Sequence, residues 1–293
     1  MTSVPMNLRR AISAGIGSFI AFIGLKNMGM IVDNPATLVQ LGDFSKPEVL
    51  VGVLGLFLAF TLYAYRIKAA FIISIALTSI VAWTMGIGTL PKEFFSMPAS
   101  IEPILFKLDV LSALSLSFLP VVITFLITDM FDSLGTLTGI GTRANLFQEN
   151  NKNDKSLQKT LEADAIATTA GSLLGVSTTT AFIESAALFF VGTLFLLPLF
   201  KSIPSNAIYP VLVVVGVLMF SELGKIDFTE TDLATSAGAF LIVILMPLTF
   251  SITNGIAAGF LIYTLIRLAK REFTQLNVGI LAITFIGALA FIL

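Results

Sequence analysis

The sequence has 293 residues, of which 56% are apolar and only 12% charged, with a formal net charge of -1. Soluble domains have about 45–50% apolar and about 25% charged residues, so this composition indicates a chain built for a lipid bilayer. The net charge near zero excludes the basic surface that nucleic-acid binding requires. The absence of Cys and His excludes disulfides, thiolate metal sites and histidine proton relays. Any proton chemistry must use Asp and Glu, and no cofactor or metal is expected.

Apolar segments of near-spanning length follow one another along the chain, since a hydrocarbon core of about 30 Å requires about 20 apolar residues. The predicted segments are residues 11–32, 49–65, 69–88, 117–140, 159–175, 181–203, 206–223, 233–250, 253–268 and 276–293. Residues 90–109 mix Pro, charge and Phe and are expected to lie along the membrane interface. No small-residue cleavage site follows the first apolar run, which is therefore predicted as a membrane helix and not a signal peptide. The fold class is an all-α polytopic membrane protein.

Basic residues in the short connections predict the orientation, because Lys and Arg collect on the cytoplasmic side. If Arg9 and Arg10 are inside, alternation puts Arg66 and Lys68 inside, and the basic residues between positions 143 and 159 as well. The three groups agree. The N-terminus is therefore expected in the cytoplasm, with the chain in the cell membrane.

The stretch ITDMFDSLGTLTG, residues 127–139, places Asp129 and Asp132 in the middle of an apolar segment. A carboxylate at the centre of a membrane helix costs roughly 2.5–3.5 kcal/mol unless it is paired, protonated or solvated. The spacing of three residues puts the two acids on one helical face, with the hydroxyl of Ser133 beside them. One side of this helix is thus expected to be polar. The alternative is a polar seam that only joins helices, although Ser, Thr and Asn do that without charge.

A second polar stretch, GSLLGVSTTTAFIES, covers residues 171–185. Gly175 and the hydroxyl-rich run after it are poor helix interior and good extended backbone, so the fifth segment is predicted to break there. Thr180 would cap a new half-helix whose free N–H groups favour an electronegative ligand, and Glu184 follows one turn later. A discontinuous helix beside a carboxylate indicates a transporter site. The alternative is a Thr-rich stretch that merely packs closely against a neighbour.

Small residues recur in both motif segments at a spacing of four, as Gly135 and Gly139 and as Gly171 and Gly175. Such pairs predict close helix packing and are a weak signal for a homodimer. Residues 254–255, Asn-Gly, indicate a break between the eighth and ninth segments. It is interpreted as structural, with a second interrupted helix as the alternative.

The segments TDMFDSLGTLTGIG and GVSTTTAFIESAA closely resemble the two signature segments of the AzgA-like purine permeases, within the nucleobase–cation symporters of the xanthine/uracil permease family. Residues 19–42 are similar to the fifth helix and following loop of that family. The resemblance extends over nearly the whole chain. It implies a fourteen-segment fold of two inverted repeats, with a broken helix that contains a short extended stretch. Residues 1–110 would then be gate-domain helices, 111–203 core-domain helices and 204–293 gate-domain helices of the second repeat.

The resemblance implies import of adenine, guanine or hypoxanthine with protons, or with sodium, and no enzymatic activity. Asp129 and Glu184 would bind the purine, and Asp132 would be a supporting or proton-linked acid. Which of the three carries the proton stays open. A carboxylate suits this substrate because it accepts hydrogen bonds from the ring N–H and exocyclic NH₂ groups of a purine. The remaining candidates are Thr178, Thr179 and Thr180 on the broken backbone and Phe131 and Phe182 as stacking rings.

Two departures from the family are expected to matter. The chain starts where the family's fifth helix starts, so the first four helices have no counterpart, and neither does a Gly-Gly-Arg-Thr loop after the half-helix. Residues 181–203 suffice for one crossing but not two. One crossing would turn Arg267, Lys270 and Arg271 outside, against the charge rule, whereas two incomplete pieces keep the family's orientation and are preferred.

Three hypotheses follow from the sequence. The first is a purine permease. The second is an inactive remnant, or a fragment that depends on a partner. The third is a passive channel lined by Asp129, although the sequence has no recognisable filter motif.

Overall fold

The computed structural model describes residues 4–90, 93, 95–97, 100–119, 121–122, 125–126, 129–130, 133, 137, 156–176, 197–228 and 232–292. The α-helices in these ranges are α1 (Met6–Asn27), α2 (Pro47–Ala64), α3 (Ala70–Thr84), α4 (Val110–Ala113), α5 (Ser156–Leu173), α6 (Leu197–Ser202), α7 (Ser205–Phe220), α8 (Leu233–Leu248), α9 (Ile252–Ala269) and α10 (Val278–Ile292). Two 3₁₀ helices, Ser221–Lys225 and Phe273–Gln275, follow α7 and α9. Strands β1 (Ile31–Asn34) and β2 (Leu38–Leu41) form an antiparallel hairpin.

Four helical stretches in the described part of the chain are long and apolar enough to cross a membrane. They are α1, α2, α9 and the stretch Ser205–Lys225. Helices α3, α8 and α10 are shorter but equally apolar. This architecture confirms the predicted all-α polytopic class. Most of the sixth predicted segment, residues 181–203, lies outside the described residues.

The first predicted segment is misplaced, because α1 begins and ends five residues before the predicted 11–32. Gly29 ends the helix with a φ of 75°, a left-handed conformation that glycine adopts without steric cost. The N–H of Met30 then donates to the carbonyl of Leu25 at 3.0 Å, which satisfies a helix-terminal acceptor. The apolar residues after Met30 therefore enter the hairpin and not the helix.

The described residues form two compact units. The first comprises Met1–Phe19, Ser100–Ile183 and Met219–Leu293, and the second comprises Ile20–Ala99 and Glu184–Leu218. The predicted assignment of gate and core domains is a functional division and stays a prediction.

In the first unit, α8 and α9 pack closely because glycines face each other. A Cβ on Gly259 would lie 2.7 Å from the carbonyl oxygen of Gly238, and one on Gly255 would lie 2.9 Å from that of Ile242. Neither position has room for a side chain. The break between the two helices occurs at residues 249–251, where Ser251 caps α9 by accepting the N–H of Asn254 at 3.2 Å. Residues 254–255 thus lie inside α9, and the alternative of an interrupted helix is wrong.

Helix α1 runs in the same direction as α8. The side chain of Leu8 lies against Gly238 near the start of both helices, and the rings of Phe19 and Phe250 meet edge to face, 5.5 Å apart, near their ends. Between these contacts, the hydroxyl of Ser18 donates to the carbonyl of Val243 at 3.2 Å. The first turns of α1 and α8 therefore lie at the same end of this unit.

The same end of the unit holds the last turn of α9, because Arg267 binds Asp232 at the start of α8. Arg9 and Arg10, near the start of α1, lie on that face as well. Arg267 thus lies at the same end of this unit as Arg9 and Arg10, while the choice between one crossing and two incomplete pieces for residues 181–203 stays a prediction. Basic residues from both ends of the chain share one face, as the charge rule expects.

In the second unit, α2 and α3 form an antiparallel pair that also contacts α7. The hydroxyl of Ser74 on α3 donates to the carbonyl of Gly55 on α2 at 3.1 Å. Gly55 also faces Pro210 of α7, since a Cβ there would lie 2.9 Å from the proline ring. At the start of these helices, Asn206 donates to the carbonyl of Glu48 at 2.8 Å. Close backbone contacts thus hold this unit together.

Candidate functional site

One predicted site residue, Asp129, lies in the part of the chain that the structure describes. The other candidates fall outside the described residues: Asp132, Glu184, Thr178, Thr179, Thr180, Phe131 and Phe182. Gly135 and Gly139 fall outside them as well.

Asp129 belongs to a helical segment, here called the motif helix, whose described residues lie between positions 121 and 137. Asp129, Ser133 and Leu137 follow one another at a spacing of four and therefore share one face. Ser133 and Leu137 are buried, with 6% and 7% of their surface exposed, and Asp129 is half-buried. The face that carries Asp129 thus packs into the protein, and the prediction that this side of the helix is polar stays a prediction.

A hydrogen bond joins the motif helix to α5. The hydroxyl of Ser133 donates to Oδ2 of Asp164 at 2.6 Å, and Asp164 is half-buried on α5. Asp164 is not among the site residues predicted from the sequence, although it is an acid within the predicted segment 159–175. The rule that drew attention to Asp129, a carboxylate inside an apolar segment, would have found it.

The described part of the chain supplies no basic partner for either carboxylate. Among the described residues, no Lys or Arg pairs with Asp129 or Asp164, and the described polar contact of Asp164 is the hydroxyl of Ser133. A carboxylate inside a membrane protein is costly without a partner, and such residues commonly mark substrate or proton pathways. These two acids therefore suit binding of a proton or of a ligand with N–H donors.

Helix α5 ends where the sequence predicts a break. Gly175 has a φ of 77°, and its N–H donates to the carbonyl of Ser172 at 3.0 Å. The next N–H, of Val176, donates to the carbonyl of Gly171 at 3.0 Å. This arrangement terminates the helix. Gly175 is therefore a helix terminator that lies outside α5, and the packing role predicted for Gly171 and Gly175 stays a prediction.

Part of the stretch predicted to lie at the membrane interface covers the end of α5. The N–H of Phe106 donates to the carbonyl of Leu173 at 3.0 Å. A Cβ on Gly175 would lie 2.6 Å from the carbonyl oxygen of Ile104, so glycine is also needed there for the close approach. The end of α5 is thus held by backbone contacts at the start of the second signature segment.

The motif helix also borders a small cavity of ≈ 20 Å³, which Met130 lines together with residues of α9 and α10. The lining is almost entirely apolar. One water molecule needs about 10–15 Å³ of such volume, so the cavity is far too small for a purine. It is a packing feature and not the substrate site.

A second polar cluster lies at the ends of α8 and α9. Arg267 donates to both carboxylate oxygens of Asp232, at 2.7 and 2.9 Å, and also binds Glu272. Asp232 caps α8 by accepting the N–H and the hydroxyl of Thr235. Burial raises the pKa of Asp232, but these hydrogen bonds and the charge of Arg267 outweigh it and hold the pKa below its usual value. The contacts of Asp232 and Glu272 with Arg267 join the ends of two helices, which is typical of a structural role.

The four helical stretches of the described part of the chain that are long and apolar enough to cross a membrane define the class of multi-pass membrane proteins. The chain belongs to the permease family of xanthine and uracil permeases, whose family model matches residues 2–194. This membership confirms the family resemblance found in the sequence.

Three similar proteins have names that describe transport. A protein named as a permease in Methanocaldococcus jannaschii is 37% identical, over 99% of this chain and 69% of its own length. The adenine permease AdeP of Escherichia coli is 35% identical, over 100% of this chain and 69% of its own length. The guanine/hypoxanthine permease PbuG of Bacillus subtilis is 34% identical, over 94% of this chain and 66% of its own length. The chain is therefore a multi-pass membrane permease and not an enzyme.

Proposed function

We propose that this permease carries purine nucleobases across the cell membrane together with protons, with its N-terminus in the cytoplasm. The names of its relatives support a nucleobase substrate. The observation that carries the proposal is the pair of half-buried acids, Asp129 and Asp164, on helices joined through Ser133 and without a basic partner in the described ranges. Such acids are retained in a membrane helix when transport needs them.

The proposed chemistry uses the carboxylates as acceptors. Ring N–H and exocyclic NH₂ groups of a purine would donate to Asp129 and Glu184, and such charge-assisted hydrogen bonds orient a flat base. Backbone N–H groups near the break after α5 would meet the acceptors of the base. The rest of the proposed binding set is Thr178, Thr179, Thr180, Phe131 and Phe182.

Coupling to protons would arise because a carboxylate that binds a proton changes its affinity for the base. Linkage requires the base to change the proton affinity by the same factor. Asp129, Asp132 and Glu184 are the candidates for the proton site. Asp164 would act on Asp129 indirectly, because Ser133 lies one helical turn from Asp129 and is held by Asp164.

The test is uptake of radiolabelled hypoxanthine, guanine and adenine by cells that lack their own purine permeases. Asp129→Asn and Glu184→Gln are each expected to lower uptake about 10- to 100-fold, because a hydrogen bond to a charged group contributes about 1.5–3 kcal/mol. The matched control is Asp227→Asn, which changes an exposed acid in the loop before α8. A protonophore should abolish uptake, and replacing sodium should not.

The alternative is a chain that no longer transports on its own, as a remnant or as a fragment that depends on a partner. This alternative is worth testing because the chain covers 69% of the length of the adenine permease. In that case the unmutated chain would reach the membrane and stay folded but take up none of the three bases. Proton-dependent uptake by the unmutated chain would eliminate this alternative.

A further inference from the structure

The connection between α2 and α3 forms a concave basic surface that the transport site does not use. A cleft of ≈ 520 Å³ is lined by Tyr63, Arg66, Lys68 and Phe71 together with small and aliphatic neighbours. Arg66 and Lys68 are exposed, and no acidic side chain in the described ranges pairs with either. The rings of Tyr63 and Phe71 stack almost parallel, with centroids 5.7 Å apart, across the start of the connection.

The cleft lies at the end of a membrane-spanning helix. Helix α2 has 18 residues, which corresponds to about 27 Å and thus to nearly the whole hydrocarbon thickness. Tyr63, in its last turn, therefore falls at the level of the lipid headgroups, where Tyr is enriched. The basic residues of this connection are those that the sequence predicts on the cytoplasmic side, where the leaflet is anionic.

The surfaces that lead away from the cleft are apolar and exposed. Phe57 and Phe60 on α2 expose 66% and 39% of their surface, and Ile72 on α3 exposes 46%. In a membrane protein such positions contact acyl chains. A molecule with a charged head and apolar tails would therefore match both the cleft and its surroundings, whereas a free anion would match only the cleft.

The backbone at Arg66 ends helix α2 in a left-handed conformation. Arg66 has a φ of 56°, and the hydrogen bonds around it, from its own N–H to Tyr63 and from Ile67 to Leu62, are those that close a helix C-terminus. Glycine is the residue preferred at this position, because a side chain in the left-handed conformation is strained. Replacing Arg66 by glycine is therefore expected to keep this helix end while removing the guanidinium.

We propose that the cleft of Tyr63, Arg66, Lys68 and Phe71 binds the phosphate headgroup of an anionic phospholipid. The guanidinium of Arg66 and the ammonium of Lys68 donate to the phosphate oxygens, the stacked rings border the glycerol region, and the acyl chains follow the apolar faces of α2 and α3. The proposal does not depend on which substrate the permease carries, because no residue of the cleft belongs to the proposed transport site.

The test measures lipid retained by the purified chain after delipidation and titration with phosphatidylglycerol, with phosphatidylcholine as the neutral lipid. The double variant Arg66→Gly and Lys68→Gln is expected to lower the retention of phosphatidylglycerol about fivefold for each charge removed, to the level of phosphatidylcholine. Because glycine is preferred at position 66, this variant is expected to fold. Lys68→Arg keeps the charge and should retain the lipid.

The matched control is Arg271→Gly, which removes an arginine in the same backbone conformation, with a φ of 58°, after α9. Its retention of phosphatidylglycerol should equal that of the unmutated chain. Equal losses in the control and in the Arg66 variant would mean general attraction to the membrane and would overturn the proposal. Unchanged retention of phosphatidylglycerol in the double variant would overturn the proposal as well. So would the finding that inorganic phosphate alone occupies the cleft and displaces the retained phosphatidylglycerol.

Discussion

Carboxylates occupy two different environments in the first compact unit. At the ends of α8 and α9, Asp232 and Glu272 both bind Arg267, which exposes only 10% of its side chain. On the motif helix and α5, Asp129 and Asp164 have no basic partner among the described residues, and a hydroxyl binds the latter. We call the first group the arginine cluster and the second the motif carboxylates.

The two groups of carboxylates are expected to have different roles, the arginine cluster in stability and the motif carboxylates in transport. Ion pairs in the arginine cluster fix the ends of two helices that glycines already bring close together, and both carboxylates there share the charge of Arg267. Among the described residues, no basic partner offsets the free-energy cost of placing the motif carboxylates in membrane helices. A proton or a purine can supply what the protein does not, so the expected effects of mutation differ in kind at the two places.

Removal of Arg267 should have the largest effect on stability. Arg267→Met leaves Asp232 and Glu272 without their shared cation. Breaking a fully buried pair costs about 3–5 kcal/mol, and since the two acids expose 42% and 38% of their side chains, a loss of about 1–3 kcal/mol is expected here. Thermal unfolding in detergent measures it. Lys270→Met, which changes an exposed residue one turn later, is the control, and equal unfolding temperatures for the two variants would contradict the structural role.

The opposite result is expected at Asp164. Asp164→Asn removes a charge that lacks a basic partner but keeps an acceptor for the hydroxyl of Ser133, so the unfolding temperature should stay the same or rise. Purine uptake should fall about tenfold, because the neutral amide no longer acts on the proton affinity of its surroundings. The same cells and labelled bases measure it. If Asp164→Asn clearly lowered the unfolding temperature and left uptake normal, Asp164 would have a structural role like that of the acids in the arginine cluster. The proposed difference between the two groups of carboxylates would then be wrong.

Sequence reasoning predicted the helices well because the length of an apolar run is a local property. Helix α2, Pro47–Ala64, and helix α9, Ile252–Ala269, lie within two residues of the predicted 49–65 and 253–268 at each end. It failed at the end of α1, where the left-handed conformation of Gly29 redirects an apolar run into a hairpin. Apolar character alone does not distinguish a helix from a strand over a few residues.

The site was less predictable, because contacts between distant residues decide it. Asp129 was found from its setting in an apolar segment, and the break at Gly175 from its composition. Asp164 is connected to the motif helix by its hydrogen bond with Ser133, which lies 31 positions away in the sequence. Likewise, the partner of Arg267 on α8 lies 35 positions away, a pairing that no local pattern indicates. The arginine cluster places Arg267 at the same end of the first unit as the start of α8, which segment length alone did not indicate.

The smallest expected effect is a pH dependence confined to the arginine cluster. The folded-state pKa of Asp232 lies below its ordinary value of 3.8, since hydrogen bonds from Thr235 and the charge of Arg267 outweigh burial. A carboxylate with a lowered pKa stabilises the folded state above its unfolded pKa, and this stability is lost as the pH falls through the folded pKa. At pH values below about 4, the unfolding temperature of the unmutated chain should therefore fall. The fall should be smaller in Asp232→Asn. The exposed Asp227, changed to Asn, should leave the acid-dependent drop unaltered. Because Asp232 is 42% exposed, the difference should correspond to less than about 1 kcal/mol, and a steeper drop in Asp232→Asn would mean that the carboxylate does not stabilise this end of α8.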